Sequence, residues 1–206
     1  KLVKNEACPP EEISTLYDEM LRLSGMVTEL QNISRLDAGH MPISKTLIDF
    51  KTFFQDFLII IEADAEARDI QVKVDLDEKL PYCYADPERL KQIVLNLVSN
   101  ALRYTTNGGV VIFKAWSDKN NFIFSVSDTG IGMTEEECKH VFERFYRSDQ
   151  SRARETGGTG LGMAITQGLV LAHDGTINVK STKGVGTTFT VTLPLYDEKA
   201  EAEQLR

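Results

Sequence analysis

Residues 86–104, DPERLKQIVLNLVSNALRY, form the most strongly patterned stretch of this 206-residue sequence. Asp86 followed by Pro87 predicts the start of a helix, because aspartate caps free backbone N–H groups and proline suits the first helical turn. Apolar residues then recur at i, i+3 and i+4 spacing, which is typical of a helix that buries one broad face. These residues are Leu90, Ile93, Val94, Leu97, Val98, Ala101 and Leu102.

The same predicted helix carries polar residues on an adjoining face. Two asparagines one turn apart can present carbonyl oxygens to a hard cation such as Mg²⁺. A guanidinium one turn further on can hold a phosphate. An ordinary solvated helix flank explains the same pattern equally well. At roughly 100° per residue, the residues on this face are Asn96, Asn100, Arg103 and Tyr104.

Helices predominate before this stretch and strands after it. Most of the strand patterns alternate apolar and polar residues, and the first two after the stretch are spaced as an antiparallel hairpin. The order indicates an α+β fold rather than a strictly alternating α/β fold. The predicted helices cover residues 11–38, 47–68, 88–104 and 161–172, and the predicted strands cover 70–76, 110–116, 121–127, 176–181 and 187–193.

The helix predicted over residues 11–38 carries two apolar stripes at heptad spacing. A lone helix cannot bury such a seam, so we expect a partner helix. The partner is either the rest of this chain or the other half of a dimeric helical hairpin. Gly39 and Pro42 are expected to end the helix. The stripes are Ile13, Met20 and Val27, and Leu16, Leu23 and Leu30.

A carboxylate and two glycines follow a predicted strand directly, in Asp128-Thr-Gly-Ile-Gly132. The glycines allow a ligand to approach the backbone closely. An aspartate that accepts from an exocyclic amine would select adenine over guanine, because a guanine carbonyl would face the carboxylate unpaired. Calcium loops and plain turns share this pattern, but no regular series of oxygen ligands for calcium follows.

A second glycine-rich segment, Gly157-Gly-Thr-Gly-Leu-Gly162, opens the last predicted helix. Its backbone N–H groups and the helix N-terminus suit a phosphate. It lacks the GK[ST] ending of a Walker A loop and the early βαβ setting of a Rossmann motif. The polar segment 148–156 before it, with Arg152 and Arg154, is either a mobile lid over phosphates or an ordinary surface loop.

The order and spacing of these motifs resemble the N, G1, F, G2 and G3 boxes of bacterial sensor histidine kinases. The resemblance covers residues 45–195, and the helix before them resembles the second helix of that family's dimerisation hairpin. The boxes correspond to Asn96 and Asn100, Asp128–Gly132, Phe142 and Phe145, Gly157–Gly162, and Gly184-Val-Gly-Thr187.

The resemblance implies a two-layer α/β sandwich of the Bergerat ATP-binding type, which type II topoisomerases, heat-shock chaperone ATPases and mismatch-repair ATPases share. We expect a mixed sheet of about five strands with about three helices, preceded by the long coiled-coil-like helix. The implied domains are residues 1–40, the end of the hairpin, residues 41–197, the catalytic ATP-binding domain, and residues 198–206, a charged tail.

The resemblance also implies a site for ATP and Mg²⁺. On the phosphate side, Asn96 and Asn100 would bind Mg²⁺ and the triphosphate, and Arg103 would assist on a phosphate. The glycine-rich loop would give further backbone contacts there through Gly158, Thr159, Gly160, Leu161 and Gly162.

On the adenine side, Tyr104 would line or stack on the base, and Asp128 would accept from its exocyclic amine, directly or through water. Thr187 would close this side through its hydroxyl. The wall beside the base would be shaped by Gly130, Ile131 and Gly132.

The activity that the resemblance implies is transfer of the ATP γ-phosphate to a histidine on the hairpin, for relay to an aspartate of a response regulator.

The family's acceptor box, the short motif around the phosphorylated histidine, is missing from this sequence. His40, His140 and His173 all lack its flanking residues, and we expect a structural role for each. The family's ATPase cousins place a water-activating glutamate where this chain has Asn96, and an amide cannot act as a general base. The alternatives are an ATP hydrolase or serine-directed kinase on the same fold, and a degenerate nucleotide-sensing or interaction module.

Composition narrows the partners and the setting. There are 23 basic and 31 acidic residues, and the net charge of −8 argues against a broad nucleic-acid surface. The three cysteines, Cys8, Cys83 and Cys138, contain no CxxC pair. This spacing supports neither a zinc site nor a disulfide framework, and it fits a reducing cytoplasm.

The sequence opens on Lys1, so we expect it to be part of a longer protein. By resemblance, that protein is a homodimeric sensor, tethered to the inner membrane through upstream segments, and this is its cytoplasmic portion.

Overall fold

The computed structural model describes residues 10–38, 41–147 and 159–195. The chain divides into two compact units, residues 1–41 and residues 42–206. The first contains helix α1, Pro10–Asp37, as the heptad pattern predicts. Five residues of its apolar stripes are at least half exposed: Leu16, Met20, Leu23, Val27 and Leu30. That a partner helix covers them stays a prediction, and Gly39 and His40 lie outside the described residues.

The second unit is a two-layer sandwich. Its helices are α2 Phe50–Glu66, α3 Pro87–Tyr104, α4 Glu135–His140 and α5 Gly162–Ala172; its strands are β1 Thr46–Ile48, β2 Gln71–Leu76, β3 Cys83–Ala85, β4 Val110–Asp118, β5 Asn121–Asp128, β6 Thr176–Thr182 and β7 Gly186–Pro194. The five-stranded sheet has the order β2-β4-β5-β7-β6, in which β2 and β4 are parallel and the other neighbours antiparallel. Helices α2, α3 and α5 contact this sheet, and β1 and β3 form a separate antiparallel pair.

The core lies between the sheet and the helices. Phenylalanines of α2 pack against phenylalanines of the central strands: the ring centroids of Phe54 and Phe113 are 4.2 Å apart, and those of Phe50 and Phe122 are 4.8 Å apart. The apolar face predicted for residues 88–104 is buried along α3. Asp86 caps this helix by accepting from two backbone N–H groups. The α+β sandwich with a mixed five-stranded sheet is therefore confirmed.

One local prediction was wrong, and one helix was not predicted. The helix predicted from Leu47 begins at Phe50, because Thr46–Ile48 pairs with Cys83–Ala85 and Asp49 caps the helix instead. The partner strand is distant in sequence, and Leu47 and Ile48 also fit the helical spacing. Helix α4 was not predicted, although Thr134 and Glu137 form a capping box at its start. Within the described residues, no helix combines the length and apolar content needed to span a bilayer.

Candidate functional site

A row of side chains crosses the sheet at the end of its central strands. Val111 of β4 is paired with Asp128 of β5, Asp128 with Thr187 of β7, and Thr187 with Ser181 of β6. Because side chains alternate along a strand, this row shares the helix-covered face with the buried Phe124. The predicted site residues Asp128 and Thr187 therefore lie side by side at the edge of the core.

Asp128 is held by the backbone through one of its two carboxylate oxygens. Its Oδ1 accepts from the N–H of Gly130 at 2.8 Å and from the N–H of Thr187 at 3.3 Å. Burial raises the pKa of the Asp128 carboxyl, although these two hydrogen bonds act in the opposite direction. Its Oδ2 accepts no hydrogen bond from the residues that the structure describes.

The loop after Asp128 packs against the end of α3 without room for side chains. The N–H of Ile131 donates to the carbonyl of Tyr104 at 3.1 Å. A Cβ at Gly130 would overlap that same carbonyl oxygen. Gly132 has φ +60°, and a Cβ there would overlap the carbonyl of Thr182. These glycines therefore bring the loop, the end of α3 and the β6–β7 turn into contact, as close packing of backbone requires.

Asn96 links α3 to the start of α5. Its Nδ2 donates to Thr166 Oγ1 at 3.2 Å and to the Gly162 carbonyl at 3.4 Å. Thr166 Oγ1 donates its own hydrogen to the same Gly162 carbonyl at 2.8 Å, so it is an acceptor toward Asn96. Both neighbours accept, and the amide orientation is thereby fixed. Its carbonyl oxygen Oδ1 has no hydrogen bond to the part of the chain that the structure describes.

Helix α5 begins without a side-chain cap among the residues that the structure describes. Leu161 stands at the N-cap position, where it makes no side-chain hydrogen bond that would cap the helix. Gly160 has φ +75°, and its carbonyl accepts from the N–H of Phe145 at 3.0 Å, which joins the loop to residues 142–147. An uncapped helix N-terminus of this kind favours anions.

The remaining predicted residues are placed as follows. Asn100, Arg103 and Tyr104 lie half-buried on the last two turns of α3, beyond Asn96. Gly158 and the segment predicted as a lid lie outside the described residues. The part of the chain that the structure describes holds no cluster of three or more His, Cys, Asp or Glu side chains for a metal. The binding roles of all these residues stay predictions.

Two residues of the site were missed in the sequence. Thr166, which orients Asn96, is separated from it by 70 residues and sits in an apolar helix. Ser181, which contacts Thr187, occupies a strand position that its alternation pattern alone explains. Only the fold brings either residue to its partner. The sequence offered one signal for Thr166, which is its position four residues after Gly162. A threonine hydroxyl in a helix commonly donates to the carbonyl one turn earlier.

Two of the three histidines are described, and each makes hydrogen bonds within the protein. The buried His173 accepts from the Asp86 N–H through Nε2 at 3.0 Å and donates from Nδ1 to the Leu169 carbonyl at 2.7 Å. The exposed His140 lies between the carboxylates of Glu143, at 2.7 Å, and Glu136, at 3.2 Å. That these histidines have structural roles stays a prediction.

The sequence of the chain is similar to those of known proteins. Residues 85–197 match the family described as histidine kinase-, DNA gyrase B-, and HSP90-like ATPase. The circadian input-output histidine kinase CikA of Synechococcus elongatus is 36% identical over 186 residues, which cover 89% of this chain and 25% of CikA. The sensor-like histidine kinase SenX3 of Mycobacterium tuberculosis is 38% identical over 192 residues, covering 91% of this chain and 47% of SenX3.

Two solved structures of histidine kinases are similar to this chain in fold. Full-length ShkA in complex with AMPPNP matches with a TM-score of 0.82 at 27% sequence identity, over 94% of this chain and 40% of ShkA. Acinetobacter baumannii histidine kinase AdeS has the same fold, with a TM-score of 0.78 at 22% identity over 94% of this chain and 89% of that structure. The chain spans between a quarter and about half the length of CikA, SenX3 and ShkA.

Proposed function

Because the chain belongs to the family of histidine kinase-, DNA gyrase B- and HSP90-like ATPases, we propose that it is the ATP-binding catalytic portion of a sensor histidine kinase. Its function is to transfer the ATP γ-phosphate to a histidine of a dimerisation hairpin, from which an aspartate of a response regulator receives it. The observation that carries this proposal is Asp128, whose half-buried carboxylate is held by the backbone through Oδ1 and presents Oδ2.

The base side of the site comprises Tyr104, residues 128–132 and Thr187. Asp128 Oδ2 accepts the exocyclic amine of adenine, and the ring lies against the wall that Gly130, Ile131 and Gly132 form. Gly130 and Gly132 let this wall pack against the carbonyls of Tyr104 and Thr182, where a Cβ would overlap them, and the Tyr104 ring lines or stacks on the base. A carbonyl in place of the amine would meet a carboxylate that cannot donate, which disfavours guanine.

The phosphate side comprises Asn96, Asn100, Arg103 and residues 158–162. The N–H groups at the start of α5 and the Arg103 guanidinium bind phosphate oxygens. The fixed orientation of the Asn96 amide suits Mg²⁺, because it directs an oxygen rather than a nitrogen away from α5. Asn96 and Asn100 would hold the ion, which supplies positive charge to offset the charge on the triphosphate.

Phosphotransfer is favoured over hydrolysis by the chemistry of the same residues. Asn96 occupies the position where a hydrolase of this fold needs a glutamate, and its amide cannot take a proton from water. Transfer to a positioned imidazole requires mainly alignment and charge stabilisation.

The partners of this function are the acceptor histidine, the response regulator and a second copy of the chain. The exposed apolar stripes of α1 support pairing through helices. We place this portion on the cytoplasmic side of a membrane-tethered sensor.

The experiment that tests the function supplies a separate acceptor hairpin together with radiolabelled ATP and Mg²⁺. We expect label on the hairpin histidine, none on this chain alone, and loss of transfer in Asp128→Asn. The matched control is Asp75→Asn, which removes an exposed carboxylate paired with Lys114 on the open face of the sheet and should leave transfer unchanged. Sustained phosphate release without hairpin labelling would instead favour the hydrolase alternative.

A further inference from the structure

Ser181 makes three side-chain hydrogen bonds with residues that the structure describes, beside the base side of the site. Its hydroxyl lies 2.8 Å from the carbonyl oxygen of Gly186 and 2.7 Å from the backbone nitrogen of Met133. Its third neighbour is Thr187 Oγ1, at 2.9 Å. Ser181 therefore joins the loop after Asp128 to the β6–β7 hairpin and contacts one of the residues proposed to face adenine.

Counting hydrogens fixes the direction of each of these bonds. A serine hydroxyl has one hydrogen to donate and two lone pairs to accept with. The Gly186 carbonyl can only accept, so the Ser181 hydrogen is used there, and the Met133 N–H occupies one lone pair. The remaining lone pair can only accept. Thr187 Oγ1 must therefore donate its own hydrogen to Ser181, and it keeps only lone pairs for a ligand.

The neighbouring Asp128 has the same polarity. The Thr187 N–H donates to Asp128 Oδ1, so that the two residues form one hydrogen-bonded unit, and the ionised carboxylate likewise offers only lone pairs. Thr187 is 8% exposed, which limits access of water that could supply a substitute hydrogen. Asp128 and Thr187, the two side chains proposed to face the exocyclic group of the base, thus both accept and cannot donate.

We propose that Ser181 is a specificity-determining positioning residue, which holds the Thr187 hydroxyl as an acceptor and thereby selects a purine with an exocyclic amine over one with a carbonyl at that position. The proposal rests on the proposed function, since it assumes that adenine binds here. Ser181 acts through Thr187 and does not itself touch the base. Without Ser181, the Thr187 hydrogen is free to rotate and to donate to a guanine carbonyl.

The test compares AMPPNP and GMPPNP binding by calorimetry for the unsubstituted chain and for Ser181→Ala. We expect the preference for AMPPNP to fall about tenfold, which is the worth of one hydrogen bond of correct polarity. The change should come mainly from tighter GMPPNP binding. A residue that only stabilises the fold would weaken both nucleotides in parallel when removed, and that result would overturn the proposal.

The matched control is Ser127→Ala. Ser127 and Thr188 form a similar hydroxyl pair at 2.9 Å between β5 and β7, but on the opposite face of the sheet. Removal of this hydroxyl should leave the nucleotide preference unchanged. Ser181→Thr keeps a hydroxyl and should retain the preference, and Ser181→Cys replaces Ser181→Ala if the latter does not fold.

A double variant separates action through Thr187 from other effects. In a Thr187→Val background, Ser181→Ala should cause no further change in the AMPPNP to GMPPNP ratio, because the hydroxyl that it orients is already absent. A further loss of preference there would contradict the proposal. AMPPNP binding to the unsubstituted chain is measured first, before any Ser181 variant is made. Failure to bind AMPPNP at that stage would contradict the proposed function itself.

Discussion

The base side and the phosphate side of the site are built in different ways. On the base side, strand register fixes Asp128 and Thr187, and backbone N–H groups already occupy Asp128 Oδ1. On the phosphate side, α5 begins without a side-chain cap, and the hydrogen bonds between Asn96 and the described residues all come from its nitrogen. We propose that the first arrangement, with acceptors in fixed positions, confers selectivity for the base. The second, with N–H donors and an amide oxygen, is proposed to attract any triphosphate with its cation.

The largest expected effect breaks the base side outright. A Cβ in Gly186→Ala would overlap the Asp128 carbonyl, and Gly186 has φ +141°, so we expect a loss of about 3 kcal/mol in the free energy of unfolding. Gly184→Ala is the control on the same hairpin. Its Cβ meets nothing within 4 Å, and its φ of +78° alone costs about 1 kcal/mol. Urea unfolding measures both, and equal losses would refute the steric explanation.

The next effect separates stability from binding at Asp128. We expect Asp128→Asn to weaken AMPPNP binding about thirtyfold, because a charge-assisted hydrogen bond to the amine is lost. Burial raises the pKa of this carboxyl in the folded chain, so the folded state binds a proton more readily than the unfolded state. Stability therefore falls as rising pH ionises Asp128, and the variant should be more stable at neutral pH. Calorimetry and urea unfolding at neutral pH measure the two effects.

A destabilised Asp128→Asn would show that the carboxylate stabilises the fold, contrary to this sign. Equal AMPPNP affinity in the variant would remove Asp128 from the base side. The exposed Asp75→Asn serves as the reference in both measurements.

A smaller effect distinguishes the two sides by ligand. We expect Asn96→Ala to lower the affinity for AMPPNP with Mg²⁺ about tenfold and to leave adenosine binding unchanged, because adenosine lacks the phosphates. The control is Ser99→Ala, an exposed position on the same helix. Fluorescence titration with both ligands provides the comparison. Equal weakening of AMPPNP and adenosine would mean that Asn96 supports the whole site through its contact with α5.

The smallest effect is a pH dependence of stability away from the ligand. Burial lowers the pKa of His173 below its ordinary 6.5, and its Nε2 must stay unprotonated to accept from Asp86, with Lys45 nearby opposing a positive charge. The stability from His173 is therefore present above pH 6.5 and lost as the pH falls through its lowered pKa. His173→Gln should flatten this decline and cost about 1 kcal/mol at neutral pH.

The exposed His140 provides the opposite sign. Glu143 and Glu136 raise its pKa above 6.5, so its contribution to stability is present in acid and lost as the pH rises. His140→Gln should therefore steepen the acid decline that His173→Gln flattens. The measurement is the urea unfolding midpoint of both variants, taken from neutral pH down to about pH 5. If both substitutions changed the acid decline of stability in the same direction, the opposite signs assigned to His173 and His140 would be contradicted.

Local patterns predicted the elements that local forces specify. Asp86-Pro87 and the apolar spacing after it gave α3 to within one residue, and alternation gave the five strands of the main sheet. The β1–β3 pair could not be predicted, because three-residue strands 35 residues apart have no periodicity of their own. The family resemblance led to Asp128 and Thr187, whose adjacency in the sheet follows from the strand register.

The residues that orient others could not be predicted. Thr166 and Ser181 act through hydrogen bonds to side chains that only the tertiary fold brings near, and a threonine in a helix or a serine in a strand has no distinguishing sequence pattern. The direction of each hydrogen bond is a further step from sequence, since it depends on every neighbour of the hydroxyl at once.

The measurement that tests the central claim most directly is a titration of the unsubstituted chain with AMPPNP and GMPPNP in the presence of Mg²⁺. If the end of the sheet binds adenine between acceptors that cannot donate, AMPPNP binds about a hundredfold more tightly than GMPPNP. Equal affinities, or no binding of AMPPNP, would contradict a base site built on Asp128 and Thr187.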